Sequence, residues 1–545
     1  MSMGRARGVA LIGLEGHIIE VEADIGQSLP AFVLLGLPDA SLRESQDRIR
    51  SAAKNSGIPL PARRLTVNLL PASLPKSGSA LDLAILMSSW EADGQVGGIG
   101  EAVFIAELGL DGSLRPVRGV LVGVAAARRA GICQVVVSTA NAAEAALVPG
   151  VEVLAMTHVR EAAQRFRARG KPEVSMLQAG RQPHGDQEGR APGHEADLAS
   201  RAGAGPVVDS LGDDASLGVT PALERAVGDL AEVHGQEEAR FALEVAAAGR
   251  HHLLLIGAPG AGKTMLASRL PGILPQLDDG EAMEVTAIAS VTRGPSGLIQ
   301  LRRHAPFEAP HHSASQAAIV GGGARLAQPG AITRAHHGVL FLDEATEFSR
   351  TVLDALRQPL ESGHIVLHRS AGSVTYPARF QLVLASNPCP CGMNTGSGRH
   401  CTCTVTARRQ YMSRLSGPLL DRIDLQVRVE RPRSAVLALG SSAENSAEVL
   451  TRVVTARAAQ RERLAPWGVQ TNSDMPMSLL NGPVRLGSAT TRALDGSLDR
   501  ASISLRGYVR VLRLAWTVAD LRGSLLPTAE DIDAAMQLRQ SAGDD

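Results

Sequence analysis

Gly257-Ala258-Pro259-Gly260-Ala261-Gly262-Lys263-Thr264 follows the apolar run Leu253 to Ile256 and leads into the apolar-periodic MLASRLPGIL. G-x-x-x-x-G-K-T between a strand and a helix is the spacing of a phosphate-binding loop. Its glycines let backbone N–H groups close around a β-phosphate at a helix N-terminus, where the dipole favours anions. Lys263 adds a point charge at the β/γ oxygens, and the Thr264 hydroxyl can ligate Mg2+. The stretch implies an α/β fold with ATP and Mg2+ as cofactors.

Working outward, a second apolar strand, Gly338 to Leu342, ends in Asp343-Glu344. One carboxylate would suffice for nucleotide binding. Two at the end of one strand suit hydrolysis, with Asp343 near the Mg2+ and Glu344 polarising the attacking water. A third strand, Phe380 to Ala385, precedes Ser386-Asn387-Pro388. The Asn387 amide is placed to orient that water or the γ-phosphate, although Asn-Pro also starts ordinary turns.

At 545 residues the chain is long enough for two to four domains. Its 55 Lys plus Arg match 55 Asp plus Glu, so no global positive field points to nucleic acid and any such contact must be a local patch. The N-terminus lacks the apolar run of an export signal, and no uninterrupted apolar stretch of about 20 residues occurs, so a cytoplasmic protein without a membrane span is expected. Residues 1–168 mix short apolar strands with helical patterns, predicting an α+β domain. Residues 169–220, rich in Gly, Pro, His and charge, predict a disordered linker. Residues 221–430 hold the three strands above. Residues 431–545 turn helical; within SLRGYVRVLRLAWTVADLRG the spacing predicts a core stripe of Leu505, Val509, Leu512 and Trp516, with Arg510 and Arg513 on a solvated face. Pro527, Thr528 and Asp531 resemble a capping box before the last helix.

Five cysteines do not make a disulfide scaffold, yet Cys389, Cys391, Cys401 and Cys403 crowd together as C-x-C, nine residues, C-x-C. Four thiolates in two close pairs suit a tetrahedral structural Zn2+, with His400 as a substitute ligand. Free thiols or a redox disulfide are the other readings. The segment Glu361 to Phe380 reads as two strands around Ser370-Ala371-Gly372-Ser373, a hairpin inserted before the Asn387 strand.

Taken in order, FEAPHHSASQAAIVGGG (307–323), GVLFLDEATEF, LRQPLESG, SNPCPCG and YMSRLSGPLLDRIDL closely resemble the ComM/YifB family of magnesium-chelatase-like AAA+ ATPases. The resemblance extends to LPDASLRESQDRIRSAAKNSG and RLTVNLLPASLPKSGSALDL, and so to nearly the whole chain. It implies an N-terminal Lon-protease-like domain, a central AAA+ core and a C-terminal helical lid. Arg422 matches the arginine finger that reaches a neighbour's γ-phosphate, which implies a ring, most simply a homo-hexamer. Arg506 matches the lid arginine that senses the γ-phosphate. In related helicase-like rings the inserted hairpin projects into the pore, making His368 and Arg369 candidate DNA-backbone contacts; a surface Arg on a structural hairpin reads equally well.

The Lon-type fold places its nucleophilic Ser four residues after the Lys of a P-K-x-G-x-S run. Here Pro75-Lys76-Ser77-Gly78-Ser79-Ala80 puts Ala80 there, and the region of the catalytic Lys, near Leu121, has none. Ser79 lies one residue off and is expected to lack a base partner, so no peptidase activity is expected. The resemblance implies a branch-migration or helicase-type motor in homologous recombination or natural transformation, acting on branched or single-stranded DNA. A chelatase-type or protein-remodelling ATPase subunit is the alternative. An aromatic content of 3% offers few base-stacking platforms, so DNA contact would rest on phosphate charge.

Overall fold

Alternation in the N-terminal text becomes a mixed sheet. The computed structural model describes residues 3–36, 39–74, 76, 79–168, 228–292, 300–323, 328–369, 372–395, 399–431 and 443–540. The expected linker, 169–220, lies outside them. β1 (Met3–Ile12) and β2 (Glu15–Gly26) pair antiparallel, from Met3 opposite Asp24 to Ile12 opposite Glu15. Ile19, Val21 and Ala23 therefore enter the core while Glu20 and Asp24 face water. β3 (Ala31–Leu35), α1 (Asp39–Asn55), β4 (Arg64–Leu70), α2 (Asp82–Ala92), β5 (Ala102–Ile105), α3 (Val120–Arg129), β6 (Gln134–Ser138) and β7 (Glu152–Met156) follow. The sheet order is β3-β4-β2-β1-β5-β6-β7. Helix α2 buries Leu83, Ile85, Leu86, Met87 and Trp90 completely, as befits a helix with almost no polar face.

The three central strands of the second sheet are built from nearly unbroken apolar runs, which is how parallel strands covered on both faces read. After α4 (Glu237–Gly249) come β8 (Leu253–Gly257), α5 (Lys263–Arg269), α6 (Asp279–Thr292), β9 (Phe307–Glu308), β10 (Val339–Leu342), the hairpin β11 (His364–Arg369) and β12 (Gly372–Pro377), β13 (Gln381–Ser386) and β14 (Leu425–Val429). Its order is β9-β10-β13-β8-β14, every neighbouring pair parallel.

Four longer helices close the chain: α7 (Ser446–Leu464), α8 (Ser488–Asp499), α9 (Leu505–Leu521) and α10 (Ala529–Gln540). α7 opens on a capping box made by Asn445 and Glu448. The Asp531 carboxylate accepts the Thr528 backbone N–H at 2.7 Å ahead of α10. Helices α7 and α9 pack on α4 and β8 in one continuous core that includes Val453, Ala456, Val511, Leu514 and Ala515.

Two expectations for α9 are corrected. Leu505, at the first turn, is 55% exposed, and the buried face is Val511, Leu512, Leu514, Ala515, Trp516 and Val518. Arg510 and Arg513 are not on a solvated face. Arg510 ion-pairs with the buried Asp424 and donates to the Asp421 carbonyl at 2.7 Å, while Arg513 donates to the Met475 carbonyl at 2.9 Å. Neighbouring loops enclose that side of the helix and supply acceptors for both guanidinium groups.

Among the described residues, the N-terminal sheet region meets the parallel-sheet region at two places. The Gly119 N–H donates to the Ser290 carbonyl of α6 at 3.0 Å, and the Ser290 hydroxyl donates to Glu144. The β1–β2 turn packs on the β11–β12 hairpin so closely that a Cβ on Gly13 would lie 2.4 Å from Val374 Cγ1. No helix among the described residues is long and apolar enough to cross a membrane.

Candidate nucleotide-binding site

Parallel register brings the candidate residues together at the C-terminal ends of the strands, where open α/β sheets receive ligands. Ile256 of β8 lies opposite Ser386 of β13, and Gly257 opposite Val429 of β14. From there the chain turns through Gly257, Ala258, Pro259, Gly260, Ala261 and Gly262, with φ of 73° at Gly260 and 92° at Gly262, conformations that glycine adopts at no steric cost. Lys263, the first residue of α5, is 8% exposed. Its ammonium donates to the Gly257 carbonyl at 2.7 Å, the Ala258 carbonyl at 3.0 Å and Asn387 Oδ1 at 3.0 Å. Burial lowers its pKa, opposed by Asp343 and Glu344. A polyphosphate would supply the counter-charge that a buried ammonium needs.

The Thr264 hydroxyl donates to Asp343 Oδ2 at 2.6 Å. These two hard oxygens, from α5 and the end of β10, form the donor set that Mg2+ takes beside phosphate. Glu344 adopts a left-handed conformation, φ 50°, and its N–H donates to Asp343 Oδ1 at 2.9 Å. The Glu344 carboxylate meets His312, whose Nδ1 lies 3.0 Å from Glu344 Oε2.

Three neighbours of the site escape sequence reasoning. Gln236 donates through Nε2 to the Ala261 carbonyl at 2.6 Å and the Glu430 carbonyl at 3.0 Å, and Arg431 donates to the Pro259 carbonyl at 2.6 Å. Both brace the loop from outside. His312, the third, sits inside the quoted PHHS run, but nothing in that run announces Glu344 as its partner.

Arg422 and Arg506 stand elsewhere. Asp424 and Leu425 donate backbone N–H groups to the His252 carbonyl, which fixes the 421–424 turn at the N-terminal end of β14, away from the loop of its own chain. Arg422 ion-pairs with Glu361, and Arg506 lies 3.5 Å from Asp421. His368 and Arg369 are exposed next to the hairpin tip, opposite Ser373 and Gly372.

Cys389, Cys391, Cys401 and Cys403 offer four sulfurs mutually within 4.8 Å, and none is in a disulfide. His400 is exposed and is not part of that group. In the N-terminal sheet region, Ser79 is not without a partner as expected: its hydroxyl donates to Glu107 Oε2. Lys76 is buried and donates to the carbonyls of Pro71 and Leu74.

Models of magnesium chelatase subunit ChlI match the chain in three consecutive segments, residues 21–141, 229–437 (magnesium chelatase, subunit ChlI) and 443–539 (its C-terminal part). YifB of Escherichia coli is 38% identical over 99% of this chain and 97% of its own, and competence protein ComM of Haemophilus influenzae 36% identical over 96% and 94%. The chain belongs to the ComM/YifB family. An uncharacterized protein of Mycobacterium tuberculosis is 44% identical over 99% of both chains. The mixed α/β architecture with its parallel sheet fits the AAA+-like ATPases of the magnesium-chelatase family to which ComM/YifB proteins belong, and ATP and Mg2+ are consistent with that family.

Proposed function

We propose that this chain is the subunit of an ATP-hydrolysing ring, a homo-hexamer, that drives branch migration or unwinding of DNA in homologous recombination or transformation. The observation that carries the reading is the meeting of Lys263, Thr264, Asp343, Glu344 and Asn387 at one end of a parallel sheet while Arg422 and Arg506 occupy the other. In this reading the loop Gly257 to Gly262 and Lys263 bind the phosphates, and Thr264 and Asp343 hold Mg2+. The ion supplies charge neutralisation on the β/γ oxygens. Glu344 takes the proton of the attacking water, and Asn387 orients that water against the γ-phosphate. Arg422 and Arg506, far from their own loop, serve the neighbour's nucleotide, so turnover requires the ring.

The DNA assignment draws on the relative named a competence protein and on the exposed His368 and Arg369, which would meet phosphates in the pore. The N-terminal sheet acts as a non-proteolytic Lon-like domain, the C-terminal helices act as a lid, and zinc on the four thiolates is a structural ion. The ChlI family models favour a chelatase-type motor as the second reading. ATPase rates with single-stranded, duplex and branched DNA at two salt concentrations, with Glu344→Gln as the blank, separate the two. Salt-sensitive stimulation, greatest on branched DNA, is expected; indifference to every DNA would transfer the case to a chelatase or protein partner.

A further inference from the structure

We propose that the four-cysteine cluster is a zinc latch on the phosphate loop, so that nucleotide binding depends on metal occupancy. This rests on the assignment of the Lys263 loop as the nucleotide site.

The sulfur geometry is that of a tetrahedral ion. Cys389 Sγ lies 3.4 Å from Cys391 Sγ and 3.7 Å from Cys401 Sγ, and Cys391 Sγ lies 3.7 Å from Cys401 Sγ. Four Zn–S bonds of about 2.3 Å at tetrahedral angles require S···S separations of about 3.8 Å. Backbone N–H groups are aimed at the same sulfurs, from Asn394 to Cys389 and from Met393 and Thr402 to Cys391. Such outer-shell donors stabilise thiolates and orient metal ligands.

The cluster is wired to the nucleotide loop at two points. Cys389 follows Asn387 by two residues, and Asn387 Oδ1 accepts the Lys263 ammonium at 3.0 Å. Gly392, one residue after Cys391, packs against the loop itself: its added Cβ would lie 2.5 Å from Pro259 Cδ and 2.7 Å from Pro259 Cγ. The first cysteine pair thus sits between the amide that holds Lys263 and the glycine that props Pro259. The second pair comes from a separate turn. An ion binding all four sulfurs, which lie within 4.8 Å of one another, fixes the first knuckle against the loop; without it nothing ties the first cysteine pair to the second, and the knuckle loses its anchor.

The test measures zinc per chain and the affinity of a fluorescent ATP analogue on purified full-length protein, without DNA. The parent should carry about one zinc per chain. The Cys401→Ser/Cys403→Ser variant should lose the metal and bind the analogue about tenfold more weakly, the loss of one charge-assisted contact. Gly392→Ala keeps all four cysteines while adding a Cβ against Pro259 at a backbone position of φ 74°; it should show a comparable fall in affinity, and retained zinc in the same protein shows that the knuckle still folds, which separates the latch from general misfolding. A folded, metal-free parent with full affinity would overturn the proposal, as would a Gly392→Ala protein that binds nucleotide like the parent. A parent that carries zinc but binds no nucleotide would instead refute the assignment of the site itself.

Discussion

Glu344 Oε2 lies 3.0 Å from Nδ1 of His312, so the residue assigned to take a proton from water is already engaged by an imidazole. An ion pair this exposed is worth at most about 1 kcal/mol, and one made in the resting state must be given up before the carboxylate acts. His312→Ala should therefore raise the DNA-free ATPase rate severalfold while leaving nucleotide affinity unchanged. A steady-state rate equal to or below the parent's would show that the pair does not restrain Glu344.

Lys263→Ala and Glu344→Gln should separate binding from chemistry. Lys263 joins the loop carbonyls to Asn387, and its loss should weaken ATP binding by about two orders of magnitude. Glu344→Gln should bind ATP normally and turn it over only marginally. Titration with a nucleotide analogue beside a phosphate-release assay reads both, and parental turnover in Glu344→Gln would remove it as the base.

The placement of Arg422 and Arg506 at the end of the sheet remote from the loop makes a mixing experiment decisive. Arg422→Ala alone should bind ATP and fail to hydrolyse it. In an equimolar mixture with Glu344→Gln, sites pairing an intact Glu344 with a neighbour's intact Arg422 re-form, so part of the activity should return. A mixture as inactive as either variant would place Arg422 in its own subunit's chemistry.

His368→Ala/Arg369→Ala should reduce DNA stimulation of the ATPase and flatten its salt dependence without changing the DNA-free rate, since each phosphate contact adds to the salt slope. Unaltered stimulation would take the hairpin tip off the DNA path.

Arg510→Met tests the buried pair with Asp424. Burial raises the Asp424 pKa, but Arg510 and then His251 overcome that and hold it well below 3.8. An acid with a depressed folded pKa stabilises the fold above its unfolded pKa, and the contribution is lost as pH falls through the folded value. Stranding the carboxylate should cost about 3–5 kcal/mol, seen as a lower melting temperature at pH 7 and a shrinking deficit toward acid pH. A deficit independent of pH would mean the pair acts only through packing.

What was legible in the sequence was what local chain chemistry dictates. The loop from Gly257 to Thr264, the Asp343-Glu344 strand end and the Asn387 strand end each announce themselves within about ten residues, and parallel register then brings them together. Residues that depend on distant partners were not legible. Arg510 and Arg513 read as surface because α9 alone shows them beside an apolar stripe; the acceptors that enclose them belong to the 421–424 turn and to Met475. Leu505 fits the helical period yet is exposed, because the first turn of α9 projects beyond the core. The links from His312 to Glu344, Gln236 to Ala261, Ser79 to Glu107 and Gly392 to Pro259 have no sequence signature at all.

The β1–β2 turn seated on Val374 and Tyr376 gives the hairpin a footing outside its own sheet. Whatever pulls on the tip at His368 and Arg369, the reaction force passes through Gly13 into a seven-stranded sheet whose core helix is sealed from water. In the proposed motor that footing makes the N-terminal region an anvil, so that a load taken up by the hairpin passes into the seven-stranded sheet instead of bending the hairpin.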